Sequence, residues 1–467
     1  MRPQQRNNTH AGYDECVTQT NYVPSGSEVV QSLPWKWNVQ GRIFIIGGLG
    51  FMFDAWDVSL NGILIPLLSD EWDLSAGQAA WIGTANLLGM ALGAFVWATI
   101  ADRIGRKAAF TATLAVFALF TVAGALTTDI VTFAVLRFIA GFGLGGAIPV
   151  DYALVGEFTP RKHRGRVLTA MDAWWPIGSA LAGFVSAWLL AMWADWRPPL
   201  LAMVLPAILL IFVRLWIPES PMFLIRKNRH NEARKVIDNL VKATGTKPVE
   251  YRLETMDDVP KMSAGAVFDQ LRRVWAFSWR TTLAVWLLFL TVMFVYYVSL
   301  QWLPTFLMEA GFEQTQAFLT TGGMSAIGLV GALVATFLVE KTGRRPLLAV
   351  SAVLGSILLV VLAAFLHVPA AVLPLVLIYG MVVQVAIPVM YAYASELYPT
   401  DLRSSGFGWA SAVSRISAGI GPLLFVTHLV PALTLAGAFA FAGGLVVLAV
   451  IAMFLLAPET TGRDLQD

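Results

Sequence analysis

Long apolar segments recur along the whole chain, and their length constrains the fold more than any other feature. Each is long enough to cross a bilayer as a helix, which takes roughly 20 residues. Only 13% of the residues are charged, about half the fraction found in soluble domains. The sequence therefore predicts an all-α membrane protein with twelve transmembrane helices. The predicted spans are 41–68, 76–101, 108–128, 131–158, 166–192, 197–217, 280–308, 315–339, 346–367, 370–397, 404–430 and 432–457.

Polar segments divide the chain into two halves of six predicted spans each. The start, 1–37, is rich in Gln, Asn, Thr and Ser, so we expect a disordered tail. Residues 218–278 form a charged linker in which 231–240 has the pattern of a short amphipathic helix. The other predicted units are a six-helix bundle over 38–217, a second over 279–457, and a polar tail over 458–467.

The loops alternate in charge, which predicts the side of the membrane on which each lies. Loops 102–107, 161–166, 226–235 and 340–345 are rich in Lys and Arg, whereas the intervening loops are poor in both. Basic loops remain on the cytoplasmic side of a membrane. We therefore expect both termini and the linker to be cytoplasmic, in a bacterial-type inner membrane.

The two halves repeat short motifs at nearly one spacing. Asp102 corresponds to Glu340 at an offset of 238 residues, and Glu157 corresponds to Glu396 at an offset of 239. Such offsets indicate two six-helix bundles related by duplication. A duplicated bundle with a binding site between its halves is the architecture of alternating-access transporters.

Several motifs resemble those of the major facilitator superfamily. The loop Asp102-Arg103-x-Gly105-Arg106-Lys107 is similar to the motif between that family's second and third helices, with Ala98 where a Gly is usual. The resemblance runs from about Trp37 onwards and implies two pseudo-symmetric bundles and secondary transport. The motifs that resemble the sugar-porter branch are Arg137-x-x-x-Gly141, Glu157 with Arg164-Gly165-Arg166, and Pro218-Glu219-Ser220-Pro221.

Further motifs resemble two narrower groups. Asp54-Ala55-Trp56-Asp57 resembles the paired-Asp motif of aromatic acid/proton symporters. The resemblance implies proton-coupled import of a small organic acid, with aromatic carboxylates as the class and nicotinate as the first candidate. A sugar or organic-cation transporter of the same fold is the alternative, and a non-transporting receptor or scaffold is a distant one. The motifs that resemble niacin transporters are Tyr296-Tyr297 with Trp302-Leu303-Pro304, Ser395-Glu396-Leu397-Tyr398-Pro399-Thr400 with Arg403, and Arg415.

Two acids in the first span are candidates for the proton site. Asp54 and Asp57 are three residues apart and share a helix face. A carboxylate inside a span needs a cavity or a cationic partner. The resemblance to proton-coupled sugar porters implies Arg137 as the partner of Asp57, released when Asp57 is protonated. We therefore expect Asp54, Asp57 and Arg137 to couple the proton, with a static ion pair as the alternative.

Arg415 lies near the middle of the span 404–430, where a guanidinium needs an anion. It would hold a substrate carboxylate in a bidentate pair. Pairing with a protein acid or with backbone carbonyls is the alternative. Aromatic rings with a few amides suit a flat heteroaromatic ligand, although Trp also belongs to interfacial belts. The other predicted substrate-binding residues are Tyr296, Tyr297, Trp175, Gln384, Trp174, Gln301, Tyr391 and Asp172.

Charged loop residues predict a gate at the cytoplasmic end. We expect Asp102 to pair with Arg106, and Glu157 to pair with Arg164 and Arg166. These pairs would break and reform during alternating access. The gate residues expected in the second half are Glu340, Arg344, Glu396 and Arg403.

Several activities are not expected from this sequence. A G-x-x-x-x-G-K-[ST] phosphate-binding loop is lacking, which disfavours ATP-driven transport. The single cysteine, Cys16, excludes an internal disulfide framework. We expect a monomer that is not an enzyme, with no cofactor, metal or nucleic-acid partner. Its expected partners are the organic acid, protons and membrane lipid.

Overall fold

The computed structural model describes residues 23–205, 212, 216–253, 264–399 and 402–460, and nearly all of these residues are helical. The first half contains α1 (Gly26–Ser32), α2 (Arg42–Trp72), α3 (Ala76–Ile104), α4 (Arg106–Gly124), α5 (Ile130–Phe158), α6 (Arg164–Met171), α7 (Trp174–Trp193) and α8 (Arg197–Leu201). The linker contains α9 (Pro221–Arg226), α10 (His230–Thr244) and α11 (Ala264–Phe277). The second half contains α12 (Trp279–Glu309), α13 (Gln314–Thr342), α14 (Arg344–Ala364), α15 (Pro369–Glu396), α16 (Arg403–Leu424) and α17 (Val430–Leu456).

Ten segments of the described chain are long and apolar enough to cross a membrane. One of them, Ser405–Leu456, runs over both α16 and α17, which a π-helical turn at Phe425–Leu429 joins. The other nine each overlap one predicted span. The sixth predicted span, 197–217, begins with α8, and most of its second part lies outside the described residues.

The fifth predicted span is two helices instead of one. The α-helical hydrogen-bond pattern is interrupted at Asp172 and Ala173, between α6 and α7, although Ala173 keeps helical backbone angles. Pro176 follows four residues after Asp172, so it offers no N–H to the Asp172 carbonyl and its ring crowds that oxygen. The hydroxyl of Tyr152 on α5 donates a hydrogen bond to Oδ1 of Asp172 at 2.6 Å. The interruption therefore places a carboxylate against a neighbouring helix.

The segment before the first span differs from the disordered tail that the sequence predicts. Residues 1–22 lie outside the described residues, but α1 follows directly. The Oγ of Ser25 accepts a hydrogen bond from the backbone N–H of Glu28, and the Glu28 carboxylate accepts one from the backbone N–H of Ser25. This reciprocal cap stabilises the start of a short helix. Burial of Val29 and Val30 then holds α1 against the linker helices.

The helices run between two ends of the molecule, which we call the basic-loop end and the opposite end. The basic-loop end carries loops 102–107, 161–166 and 340–345, and the opposite end carries the turns that follow α2 and α4. The linker helices are divided between the halves, since α9 and α10 pack against α1, whereas α11 packs against α12 and α16.

The two halves meet closely near the opposite end. A Cβ at Gly62 on α2 would lie 2.8 Å from backbone carbonyl oxygens of α12. A Cβ at Gly183 on α7 would lie 2.6 Å from the Cα of Gly322 on α13. The hydroxyl of Thr84 on α3 donates to the carbonyl of Gly419 on α16 at 2.9 Å. Small residues let the helices of the two halves approach to backbone contact at Gly62 and Gly183.

Candidate functional site

An ion pair is buried between α2 and α5. Arg137 donates from Nη1 to Oδ1 of Asp57 at 2.7 Å and from Nη2 to Oδ2 at 2.9 Å. Both side chains have no exposed surface. A buried pair of this kind is held only when its remaining hydrogen-bonding atoms are also satisfied.

Two asparagines form further hydrogen bonds with the ion pair, and Nε of Arg137 alone among its polar side-chain atoms has no partner in the described part of the chain. The Oδ1 of Asn61 accepts from Nη2 of Arg137 at 2.7 Å, and the Nδ2 of Asn86 donates to Oδ2 of Asp57 at 3.0 Å. The two amides also bond to each other at 3.2 Å. Asn61 lies one turn after Asp57 on α2, and Gly141 lets α5 approach the backbone of Asn86 on α3. Three helices therefore fix the Asp57 carboxylate in one position.

The neighbouring acid Asp54 has entirely different surroundings. It is fully buried, and neither carboxylate oxygen has a hydrogen-bond partner among the described residues. The same is true of Asp151 on α5. The charge of Asp54 acts on Asp151. Sequence reasoning left Asp151 out of the candidate site, although its position inside an apolar span is a sign of function.

Arg415 lies on α16, facing the first half of the molecule. Its charge acts on Asp54, and also on the hydroxyls of Tyr297 and Tyr391. No carboxylate of the described residues forms a salt bridge with Arg415 within 4 Å. Among the described residues, the guanidinium is therefore not paired with a carboxylate, and its charge reaches an acid and two aromatic hydroxyls.

A hydrogen bond between aromatic side chains joins the two halves beside this region. The indole N–H of Trp175 on α7 donates to the hydroxyl of Tyr296 on α12 at 2.9 Å. The ring of Tyr296 packs edge-on against Tyr297, with centroids 5.4 Å apart. On the other side, Trp175 packs against Phe51 of α2. These aromatic side chains therefore form one cluster that joins α2, α7 and α12.

Three predicted substrate-binding residues pack between helices. Trp174 lies over Gly48 of α2, and the stem of Gln384 packs against Gly328 of α13. Gln301 points toward Gly83 of α3, near the closed opposite end. In each case the side chain packs against a glycine of the neighbouring helix. The position of a residue along its own predicted span does not reveal such a contact.

The charged loops form a network within the first half. Arg106 bonds to Asp102 at 2.7 Å and to Glu157 at 3.4 Å. The pairing of Glu157 with Arg164 and Arg166 that the sequence predicts is not present in the described part of the chain. Arg164 instead donates to the backbone carbonyl at position 159, and Arg166 is exposed to solvent. The reason is that α4 and α5 pack together and bring Arg106 to Glu157.

The second half repeats this arrangement. Arg344 bonds to Glu340 at 2.7 Å and to Glu396 at 3.1 Å. The Glu459 carboxylate accepts from the backbone N–H of Arg344 and thereby caps α14. In the first half, Glu219 accepts from the backbone at the start of α4 in the same way. Arg403, the remaining predicted gate residue, begins α16.

The profile of the sugar (and other) transporter family matches residues 41–467. The chain belongs to this family. A relative in the family, the niacin transporter NiaP of Acinetobacter baylyi, is 33% identical over 425 residues, which cover 90% of this chain and 94% of that protein. The gallate transporter of Pseudomonas putida is 31% identical over 418 residues, which cover 88% and 91%. These relatives confirm the prediction of a transporter and not an enzyme.

Comparison with solved structures confirms the predicted architecture. The inward-open conformation of the xylose transporter XylE from E. coli matches with a TM-score of 0.73 at 19% identity, and the match covers 91% of this chain and 98% of XylE. The chain is therefore a multi-pass membrane protein with the twelve-helix major facilitator fold that the apolar segments predict.

Proposed function

We propose that this transporter imports a small aromatic carboxylate together with a proton, with nicotinate as the first candidate substrate. One observation carries the proposal: Arg415 lies inside a membrane-spanning helix without a salt bridge to any described carboxylate, and its charge reaches Asp54, Tyr297 and Tyr391. A guanidinium in such a place binds a planar carboxylate through two parallel hydrogen bonds. Relatives named as niacin and gallate transporters support an aromatic acid as the substrate class.

Asp54 would couple the proton to the substrate. An ionised Asp54 balances the charge of Arg415, so a substrate carboxylate that binds Arg415 must compete with it. Protonation of Asp54 removes that competitor. By linkage, proton binding and carboxylate binding then strengthen each other to the same degree. Asp57 is less suited to this role because Arg137, Asn61 and Asn86 already satisfy its carboxylate.

The basic loops support an orientation with the basic-loop end in the cytoplasm. The glycine contacts at the opposite end then close the molecule toward the outside. We keep the proposal that the charged networks around Arg106 and Arg344 act as a gate at the cytoplasmic end. In the described part of the chain, each of these networks lies within one half, as suits a molecule whose halves are apart at that end.

Transport by purified protein in liposomes tests the substrate. Labelled nicotinate, benzoate, glucose and choline are compared, with and without an inward proton gradient. We expect gradient-driven accumulation of the two carboxylates. Arg415→Ala should weaken their binding by about 10- to 100-fold, since a hydrogen bond to a charged group contributes about 1.5–3 kcal/mol. Arg273→Ala is the control because that side chain is 69% exposed.

A cationic substrate is the second candidate, and the unpaired acids Asp54 and Asp151 favour it. The same assay separates the two candidates. Accumulation of choline that Arg415→Ala leaves intact would support a cation transporter and exclude the carboxylate proposal. Accumulation of glucose alone would exclude both.

A further inference from the structure

Asp54 and Asp151 present four carboxylate oxygens without a hydrogen-bond partner among the described residues. Both side chains have no exposed surface. An isolated ionised carboxylate in such a place is far more costly than a protonated one. The usual remedies, a salt bridge or a set of N–H donors, are found at Asp57 but not here.

The Asp151 carboxyl lies at the contact between α5 and α2, the helix that carries Asp54. The Oδ2 of Asp151 lies over Gly50, where a Cβ would come within 2.7 Å of it. Gly50 precedes Asp54 by one helical turn on α2. The ring of Phe110 on α4 lies over the same glycine and closes the other side. Only a glycine at this position leaves room for the Asp151 carboxyl beside α2.

The charges around the pair are few. Of the groups on α1, α2, α3, α4 and α6, the helices that pack against α5 in the described part of the chain, Asp54 is the one whose charge acts on Asp151. The Tyr152 hydroxyl beside it is committed to Asp172. Asp54 is also acted on by Asp57, whose charge Arg137 balances, and by Arg415.

The two acids lie at different distances from the basic-loop end. Asp54 is twelve residues from the start of α2, or about 18 Å from the basic-loop end at 1.5 Å per residue. Asp151 is seven residues from the end of α5, or about 10 Å from the same end. Asp151 therefore lies between Asp54 and the basic-loop end.

We propose that Asp54 and Asp151 form one proton-binding site, in which a proton taken up on Asp54 passes to Asp151 on its way to the basic-loop end. The step breaks an O–H bond on the Asp54 carboxyl and forms one on the Asp151 carboxylate, directly or through a water molecule, and needs no other reactant. Asp54 becomes charged as the proton leaves, so it competes again for Arg415. Release of the substrate carboxylate would then follow the proton. Only this last coupling rests on the proposed function.

Infrared spectra of the purified protein during a pH titration test the site without any substrate. Two interacting carboxyls lose their protons in two macroscopic steps. Asp172 is a further carboxyl in this bundle, so the steps are compared between proteins. We expect the band of protonated, buried carboxyl groups to disappear in one step fewer in both Asp54→Asn and Asp151→Asn than in the unaltered protein. Asp129→Asn, at the other end of α5, is the control and should keep every step, because Asn also caps a helix.

Several results would overturn the proposal. One is a spectrum of the unaltered protein without a buried protonated carboxyl at any pH. Another is an Asp151→Asn titration identical to that of the unaltered protein. A third is a titration that changes when Na⁺ is replaced by K⁺, because this would assign the pair to Na⁺. The first and third readings use the unaltered chain, so a variant that fails to fold leaves the test intact.

Transport gives a second measurement that a purely structural role would not affect. Asp151→Asn should still exchange labelled for unlabelled substrate but lose gradient-driven accumulation, which amounts to about tenfold per pH unit for one coupled proton. Asp129→Asn should keep both. Full accumulation by Asp151→Asn would contradict the proton step. If no carboxylate is transported at all, the proposed function fails while the infrared result still decides the proton site.

Discussion

Asp57 and Asp54 lie three residues apart on α2, yet their surroundings are opposite. The Asp57 carboxylate accepts three hydrogen bonds, two from a guanidinium and one from an amide. The Asp54 carboxyl accepts none from the described residues. The first group is arranged for a permanent charge, whereas the second needs a proton or a ligand. The contrast teaches that an acid inside a span anchors helices when it is fully paired and is free to act in transport when it is not.

The largest effect should come from breaking the paired site. Arg137→Gln leaves the Asp57 carboxylate buried without a cation, which costs about 3–5 kcal/mol in comparable pairs. We expect a large fall in the thermal unfolding temperature, measured in detergent micelles. Replacing both partners, as Asp57→Asn with Arg137→Gln, should recover part of the loss. Strictly additive effects of the two substitutions would contradict the pairing, and Arg273→Gln is the exposed control.

A smaller effect should come from crowding the unpaired site. Gly50→Ala places a methyl group 2.7 Å from Oδ2 of Asp151 and 3.0 Å from the Phe110 ring. Overpacking of this kind costs about 1–3 kcal/mol. Gly444→Ala is the matched control, since a Cβ there meets nothing within 4 Å and Ala favours a helix over Gly. Equal unfolding temperatures for the two variants would mean that the space beside Gly50 is not needed.

The smallest effect should come from an exposed acid on the same helix as Asp151. Asp129 caps α5 by accepting the Thr132 backbone N–H at 2.8 Å, and this hydrogen bond lowers the pKa of the carboxyl. A lowered pKa means that the stabilisation is present above the unfolded-state pKa and is lost as the pH falls through the folded-state pKa. Asp129→Ala should therefore lower the unfolding temperature slightly at neutral pH and not at acidic pH. A deficit that persists in acid would contradict this account.

The sequence was sufficient to predict the positions of the membrane spans, because apolar segments of bilayer length can be identified without knowledge of tertiary contacts. It was also sufficient to propose Arg137 as the partner of Asp57, through a family resemblance. It was wrong about Glu157, since nearness in sequence favoured Arg164 whereas helix packing brings Arg106 to the carboxylate. Asp151 was considered as a relay but left out of the predicted site, because the glycine that receives its carboxyl lies about 100 residues away on α2. Such small residues decide which face of a helix packs against which neighbouring helix. A local sequence pattern does not predict this choice.

The contacts at the two ends of the molecule should also respond differently to ionic strength. At the basic-loop end the contacts are ion pairs with partly exposed side chains, and mobile ions weaken attraction of that kind. Near the opposite end, the contacts between the two halves described above are glycine backbone contacts and the Thr84 hydrogen bond, which carry no net charge to screen. Higher ionic strength should therefore weaken the charged networks at the basic-loop end more than the contacts that join the two halves near the opposite end. Labelling of cysteines introduced at each end, at low and high salt, would measure the difference.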